Sequence, residues 1–277
     1  MNRAKKFFQN LAKYLAVALL VFIIVSPIYW ILVCSFKPTR ELIRVTPTFV
    51  PHTVTLFHYV GLLKETGFMT YFLNSIYVAT GSAVLVVILT SLAGYSVYRC
   101  RYLGRRFFFN ILLAIYIFPR VLLLLFLYPM FARLNLVDNL LSLVITYVGI
   151  TAPLNVWLMR AFFTSVPLEL EDAALVDGAN RLQILFKIFL PLVAPGIGAV
   201  AINSFLMSYG EYLFASILIV SDRFKTLPVG MAQFLQQYEI SWGWLASGSV
   251  LIILPPVIAF AFVGRYFVKG LTAGAIK

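Results

Sequence analysis

Residues 14–36 read YLAVALLVFIIVSPIYWILVCSF, 23 consecutive positions without a charged side chain. As a helix rising about 1.5 Å per residue, a run of this length crosses a hydrocarbon core about 30 Å thick. Arg3, Lys5 and Lys6 precede it, as they would precede the core of a secretory signal peptide. That core is about 7–15 residues long, so the longer run here reads as a retained span with a kink at Pro27.

Five further runs repeat the pattern. Asn74–Tyr98 is charge-free and ends in Arg99, Arg101, Arg105 and Arg106; Phe107–Phe131 follows, with Arg120 near its middle; Leu140–Met159 is again charge-free. A fifth, about 194–220, is entered through Pro191, Pro195, Gly196 and Gly198 and contains Glu211, and a sixth, about 245–263, carries Pro255 and Pro256. Of the 277 residues 62% are hydrophobic and 12% charged, against about 45–50% and about 25% in soluble domains. A soluble core cannot absorb that much apolar surface. Residues 1–277 are therefore read as a single all-α integral membrane domain with six transmembrane helices. Between the first two spans, Lys37–Phe72 is broken by Pro47 and Pro51 and reads as an external loop.

The 22 Lys and Arg exceed the 10 Asp and Glu, for a formal charge of +12. In a soluble chain this would raise nucleic-acid binding; here the cations cluster at the ends of apolar runs and no nucleic-acid motif is present, which excludes that class. Counting the flanks of six spans puts 14 cations on the side of the N-terminus and seven on the other, with Arg120 left over. Both termini are expected on the cytoplasmic side. Cys34 and Cys100 fall at opposite ends of consecutive spans, unsuited to a disulfide, a metal site or a redox pair.

The stretch between spans four and five, Val166–Pro195, reads VPLELEDAALVDGANRLQILFKIFLPLVAP and holds four of the ten acids, Glu169, Glu171, Asp172 and Asp177, within nine residues. It predicts a helix with Pro167 at its start, acids facing the positive end of the dipole, and Gly178 as its stop. Asn180 and Gln183 then cap a second helix. Leu168, Asp172, Leu175 and Ala179 share one face, an apolar surface around one carboxylate suited to a groove on a partner. The other reading, a helix lying on the membrane surface, conflicts with its charge: an anionic leaflet repels an acidic helix.

Asp172-Ala173-Ala174, Asp177-Gly178-Ala179, Leu190-Pro191-Leu192 and Pro195 resemble, in that order, the signature loop of the membrane subunits of ATP-binding-cassette importers. Ser35-Phe36-Lys37-Pro38, Thr226-Leu227-Pro228-Val229-Gly230 and Gly270–Ala275 extend the resemblance to the smaller permease subunit of maltose-type carbohydrate importers. Three positions depart from the pattern. Asp172 stands where Glu is usual, Tyr209-Gly210-Glu211 where Trp-Asn-Glu is common, and Arg120 in a span that is usually uncharged. The resemblance implies sugar uptake across a bacterial inner membrane, a second, distinct permease subunit, two ATPase subunits and an extracytoplasmic solute-binding protein. It also implies that Glu169, Asp172, Ala173, Leu175, Asp177 and Gly178 form the contact with an ATPase.

The chain has no phosphate-binding G-x-x-x-x-G-K-[ST] motif, no H-E-x-x-H and no G-x-S-x-G. It carries no cofactor of its own in this reading, and ATP and magnesium belong to the ATPase subunits. An ion-driven secondary transporter is the alternative, although such carriers use paired intramembrane carboxylates where only Glu211 qualifies here. Arg120, Asn203, Tyr209 and Glu211 are the candidates for the substrate pathway. Glu211 fits either a polar lining or a structural hydrogen bond near the outer surface. Arg120 lies about 20 Å of helix rise from Arg106, too far to snorkel, and so faces either an ion pair or the carboxylate of an acidic sugar.

Overall fold

The computed structural model describes residues 2–100, 102–236 and 241–273, and every regular element among them is helical. Arg101, Gly274, Ala275 and Lys277 lie outside the described residues, as do the side chains of Arg265 and Lys269, so the tail motif and three of the counted tail cations rest on sequence. The chain divides into two compact units, residues 1–68 with 231–253 and residues 69–230 with 254–277.

In the first unit, α1 (Asn2–Ser35) contains the opening run, and Pro27 lies inside it without ending it. Its side chains from Tyr14 to Val25 are exposed throughout, as suits a helix whose solvent is lipid. The expected external loop has structure of its own, with α2 (Thr39–Leu42) and α3 (Phe57–Glu65). Buried Lys37 lies over the Trp30 ring at 4.7 Å and donates to the carbonyl of Thr48. Glu41 accepts from the Thr48 hydroxyl and, at 3.3 Å, from the His52 backbone N–H. The Thr48 bond holds the Glu41 carboxyl below its ordinary range against the opposing effect of burial.

The second unit is built around α4 (Phe68–Arg99) and α7 (Leu140–Phe163), each long and apolar enough to cross a bilayer. The third run is not one helix. It breaks at Phe118 and Pro119 into α5 (Arg105–Ile117) and α6 (Arg120–Arg133), bent by 99°. Proline lacks an N–H and pushes the residue before it out of the helical region; Phe118 is extended, with ψ 135°. The sequence assigns Arg120 its depth by counting helix rise from Arg106, and that count fails at the bend.

The segment after α7 continues through α8 (Glu169–Val176), α9 (Arg181–Ile184), a π-turn (Leu185–Phe189) and α10 (Leu190–Leu192) into α11 (Ala194–Tyr209), which meets the preceding helical stretch at 82°. The fifth run also ends early. Its helix stops at Gly210, and α12 (Leu213–Leu218) starts afresh, so Glu211 sits between two helices. Beyond them come α13 (Leu227–Gln236) and α14 (Trp242–Ala273), with Pro255 and Pro256 inside the latter. Among the described residues four helices qualify as spans by themselves, and the number of spans rises to six if each bent pair counts as one.

Two apolar clusters support this unit. One joins Leu124, Phe131, Leu143, Tyr147, Phe214 and Leu218; the other joins Tyr95, Met159, Phe163, Ile184, Phe189 and Val200. The Thr226–Gly230 motif is explained locally: Ser75 Oγ accepts from the Leu227 backbone N–H at 2.7 Å, and Gly230 lies against the ring of Tyr71. Gly196 lets α11 approach α7, because a Cβ there would lie 2.6 Å from Cδ2 of Phe162. Gly196→Leu is therefore expected to destabilise the unit by at least ~1–3 kcal/mol of overpacking, seen as a lowered melting temperature or an aggregated peak in detergent size-exclusion chromatography. A wild-type profile would show that α7 and α11 do not meet closely at this glycine.

Candidate functional site

The acidic stretch folds into the helix its residues predict. Glu169, Glu171 and Asp172 occupy the first turn of α8. At its other end Gly178, at φ 81°, takes the left-handed conformation that a side chain would strain. The Gly178 N–H donates to the Leu175 carbonyl at 3.1 Å and the Ala179 N–H to that of Ala174 at 3.0 Å, a Schellman stop. Asn180 and Gln183 then exchange side-chain and backbone bonds, both at 2.9 Å, in a capping box.

Leu168, Glu169, Asp172, Ala173, Leu175 and Asp177 are exposed on α8 and its ends. Ala179 is not part of this face. The helix stops before it, and the turn at Gly178 directs it onto the cluster around Met159 and Ile184. The inward positions are Ala174 and Glu171, which the sequence reading treats only as an acid at the dipole. Glu171 pairs with Nε of Arg99 at the end of α4 and accepts from the Tyr95 hydroxyl at 3.3 Å. Asp172, largely exposed, lies 3.9 Å from the same guanidinium. Tyr95, Phe163 and Phe189 pack edge to face with centroids 5.3–6.0 Å apart, joining α4, α7 and the π-turn directly beneath α8. The spacing of Glu171 and Ala174 is the one sequence signal for this inward face, and the apolar stripe on the opposite side masked it.

The pathway candidates fall into separate settings. Glu211 Oε2 accepts from the Tyr147 hydroxyl at 2.8 Å and from the backbone N–H groups of Phe214 at 3.0 Å and Ala215 at 3.3 Å. It satisfies the free donors at the start of α12, which is the structural alternative of the two sequence readings. Asn203 donates to Asn155 Oδ1 at 3.2 Å, while Asn155 donates to Ser204 Oγ at 3.1 Å and to the Thr151 carbonyl at 2.9 Å, a buried polar ladder between α7 and α11. Tyr209 is buried and stacks on Phe205, centroids 5.5 Å apart. Arg120 is exposed at the start of α6, and no ion pair among the described residues includes it.

Asp138, between α6 and α7, escaped the sequence reading. It accepts from the backbone N–H groups of Val220 at 2.9 Å and Ser221 at 2.8 Å. Burial opposes its ionisation, but these bonds and that of the Ser221 hydroxyl prevail and hold its carboxyl below the ordinary range. Among the described residues no three His, Cys, Asp or Glu side chains gather as a metal site would require.

Residues 87–273 match the model of the family described as the binding-protein-dependent transport system inner membrane component. The chain is 35% identical to the inner membrane ABC transporter permease protein YcjP of Escherichia coli, over the whole of both chains. It is 36% identical to the arabinooligosaccharides transport system permease protein AraQ of Halalkalibacterium halodurans, over 94% of each, and 34% identical to the trehalose/maltose transport system permease protein MalG of Thermococcus litoralis, again over 94% of each. Its fold matches a chain of a bacterial ABC transporter involved in the import of the acidic polysaccharide alginate, with a TM-score of 0.83 at 22% identity, covering 96% of this chain and 98% of that one. The chain thus belongs to the family of binding-protein-dependent inner-membrane permeases of ABC transporters, which sets aside the ion-driven carrier.

The geometry gives Tyr147 and Arg120 different expected effects on stability. Tyr147→Phe removes a hydrogen bond to a carboxylate, expected to lower stability by ~1.5–3 kcal/mol, whereas Arg120→Gln should leave the melting temperature in detergent unchanged. A lowered melting temperature for Arg120→Gln, or none for Tyr147→Phe, would reverse the two assignments.

Proposed function

We propose that this chain, acting over residues 1–277 as one transmembrane domain, forms part of the pathway of a carbohydrate importer and receives the work of ATP hydrolysis at α8 from a separate ATPase subunit. The supporting observation is the two-faced character of α8: apolar and acidic side chains project outward, while Glu171 and Ala174 anchor it from behind. A helix of eight residues is too short to persist without such packing. Leu168, Ala173 and Leu175 form the apolar part of the docking face, Asp172 gives it a charge, and the ends marked by Glu169 and by Asp177 with Gly178 fix its length.

Carbohydrate is the substrate class because AraQ and MalG, each at least 34% identical, are named for oligosaccharide and disaccharide transport. The remaining assembly is a second permease subunit, two ATPase subunits that bind ATP and magnesium, and a solute-binding protein outside the membrane. A bacterial alginate ABC transporter of similar fold, with a TM-score of 0.69 at 15% identity, is solved in complex with a pentasaccharide-bound periplasmic protein, which supports the last of these partners. The excess of cations in the flanks supports a cytoplasmic position for α8 and both termini. Exposed, unpaired Arg120 favours a second, narrower reading in which the sugar is acidic, since a guanidinium fork accepts a carboxylate in two parallel bonds.

Asp172→Lys and Gly178→Arg are expected to uncouple the reconstituted importer while leaving membrane insertion intact. A charge reversal in a docked surface costs ~2–5 kcal/mol, enough to suppress both uptake and substrate-stimulated ATP hydrolysis. Wild-type values of both activities in both variants would refute docking at α8. For the narrower reading, Arg120→Gln should lower uptake of a uronic-acid oligosaccharide while sparing basal ATP hydrolysis, with Arg120→Lys restoring it in part; unchanged uptake would withdraw the acidic sugar.

A further inference from the structure

Among the described residues, three cations near the α8 end of the second unit remain without a carboxylate. Val97, Arg105, Arg106, Phe109, Asn110 and Arg160 line a cavity of about 330 Å³ between the start of α5 and the end of α7. Arg99, nearby in sequence, is ion-paired with Glu171 and lies 3.9 Å from Asp172, but no acidic side chain among the described residues lines this cavity. Arg160 lays its guanidinium over the Phe109 ring at 4.7 Å, and its buried Nε has no hydrogen-bond partner among the described residues. Arg105 makes one long bond, 3.5 Å, to the Cys100 carbonyl. A buried guanidinium N–H without an acceptor costs free energy, and Arg cannot shed its proton to escape the cost. The cavity therefore calls for an anion with several acceptor oxygens.

We propose that Arg105, Arg106 and Arg160, with Asn110, bind the phosphate group of an anionic membrane phospholipid. The backbone N–H groups of the first turn of α5 add to the same field, since α5 is 13 residues long and begins at Arg105. The surroundings select a lipid over a soluble anion. Val97 and Phe109 form apolar walls, and exposed Phe107, Phe108, Ile111 and Ile115 continue from the cavity along α5, giving acyl chains a path down the helix. A second hollow of about 620 Å³, lined by Tyr102, Leu103, Gly104, Arg105, Arg106 and Phe107, adjoins the first and leaves room for the glycerol and the rest of the headgroup. Basic pockets between membrane helices are suited to such headgroups. The proposal rests on the membrane-spanning reading of α5 and α7 and is independent of which sugar is carried.

The test uses the complete importer, purified with its partner subunits in a neutral detergent, with phosphatidylglycerol or phosphatidylcholine added in separate samples and bound lipid counted by native mass spectrometry. The wild-type complex should retain phosphatidylglycerol in preference to phosphatidylcholine. Arg106→Gln and Arg160→Gln should each reduce that retention about fivefold, the loss of one cation at a lipid surface, and Arg106→Lys should largely preserve it. Arg106 is exposed, so its replacement does not threaten folding; a monodisperse size-exclusion profile checks this for each variant. Equal retention of the two lipids, or undiminished retention in both Gln variants, would overturn the site. Displacement of phosphatidylglycerol by millimolar inorganic phosphate would assign it to a soluble anion instead. Loss of a partner subunit in Arg106→Gln with the lipid count unchanged would make the pocket a protein contact, and the lipid proposal would again fail. Lipid counts are read without transport, so a failure here is separate from any failure of coupling at α8.

Discussion

The ion pair between Arg99 and Glu171 fastens the end of α4 to α8, the eight-residue candidate docking helix. Its side chains are 17% and 5% exposed, so both charges have left most of their water. Such burial is repaid only by good geometry and further bonds, here from the Tyr95 hydroxyl. Removing one partner would leave a buried charge uncompensated, at a cost of ~3–5 kcal/mol. The ring triad of Tyr95, Phe163 and Phe189 continues the attachment into α7 and the π-turn, so a force applied to the exposed face of α8 meets packed elements. Packed interiors shift between discrete arrangements and do not stretch, so under the proposed docking at α8 this attachment is the route by which work delivered there would reach the spans.

A second constraint is the demand of every backbone polar group for a partner where water is scarce. Two connections meet it at nameable places. The start of α12 gives its free N–H groups to Glu211, and the connection from α6 to α7 directs Asp138 onto those of Val220 and Ser221. Glu211, a candidate for the substrate pathway in the sequence, thus serves as a cap, and Asp138 meets the same need. Arg105, Arg106 and Arg160 have no such assignment among the described residues, and that contrast is what singles out their cavity.

The all-helical, membrane-spanning character was legible because bilayer thickness acts on composition and length alone, although among the described residues only four of the runs stand as single spanning helices. So were the helix over the acidic stretch, its glycine stop and the capping box, all local chemistry within a few residues. What escaped depends on contacts distant in sequence. Glu171 meets Arg99 and Tyr95 across about seventy residues, and Glu211 meets Tyr147 across 64. Pro119 was visible, yet a proline in a membrane helix produces anything from a mild kink to the 99° turn seen here, and the neighbours decide which. Ala179 was assigned to the docking face by continuing the helical period past Gly178, where the left-handed turn ends it.

The central claim is that α8 acts through its buried attachment to α4. A charge swap tests it most directly, with substrate-stimulated ATP hydrolysis and uptake measured together in proteoliposomes of the whole importer. Arg99→Glu and Glu171→Arg alone should each abolish stimulation by setting like charges together, and the double variant should recover a substantial part of both activities. Single variants that remain coupled, or a double variant no better than either of them while still assembled, would contradict the account.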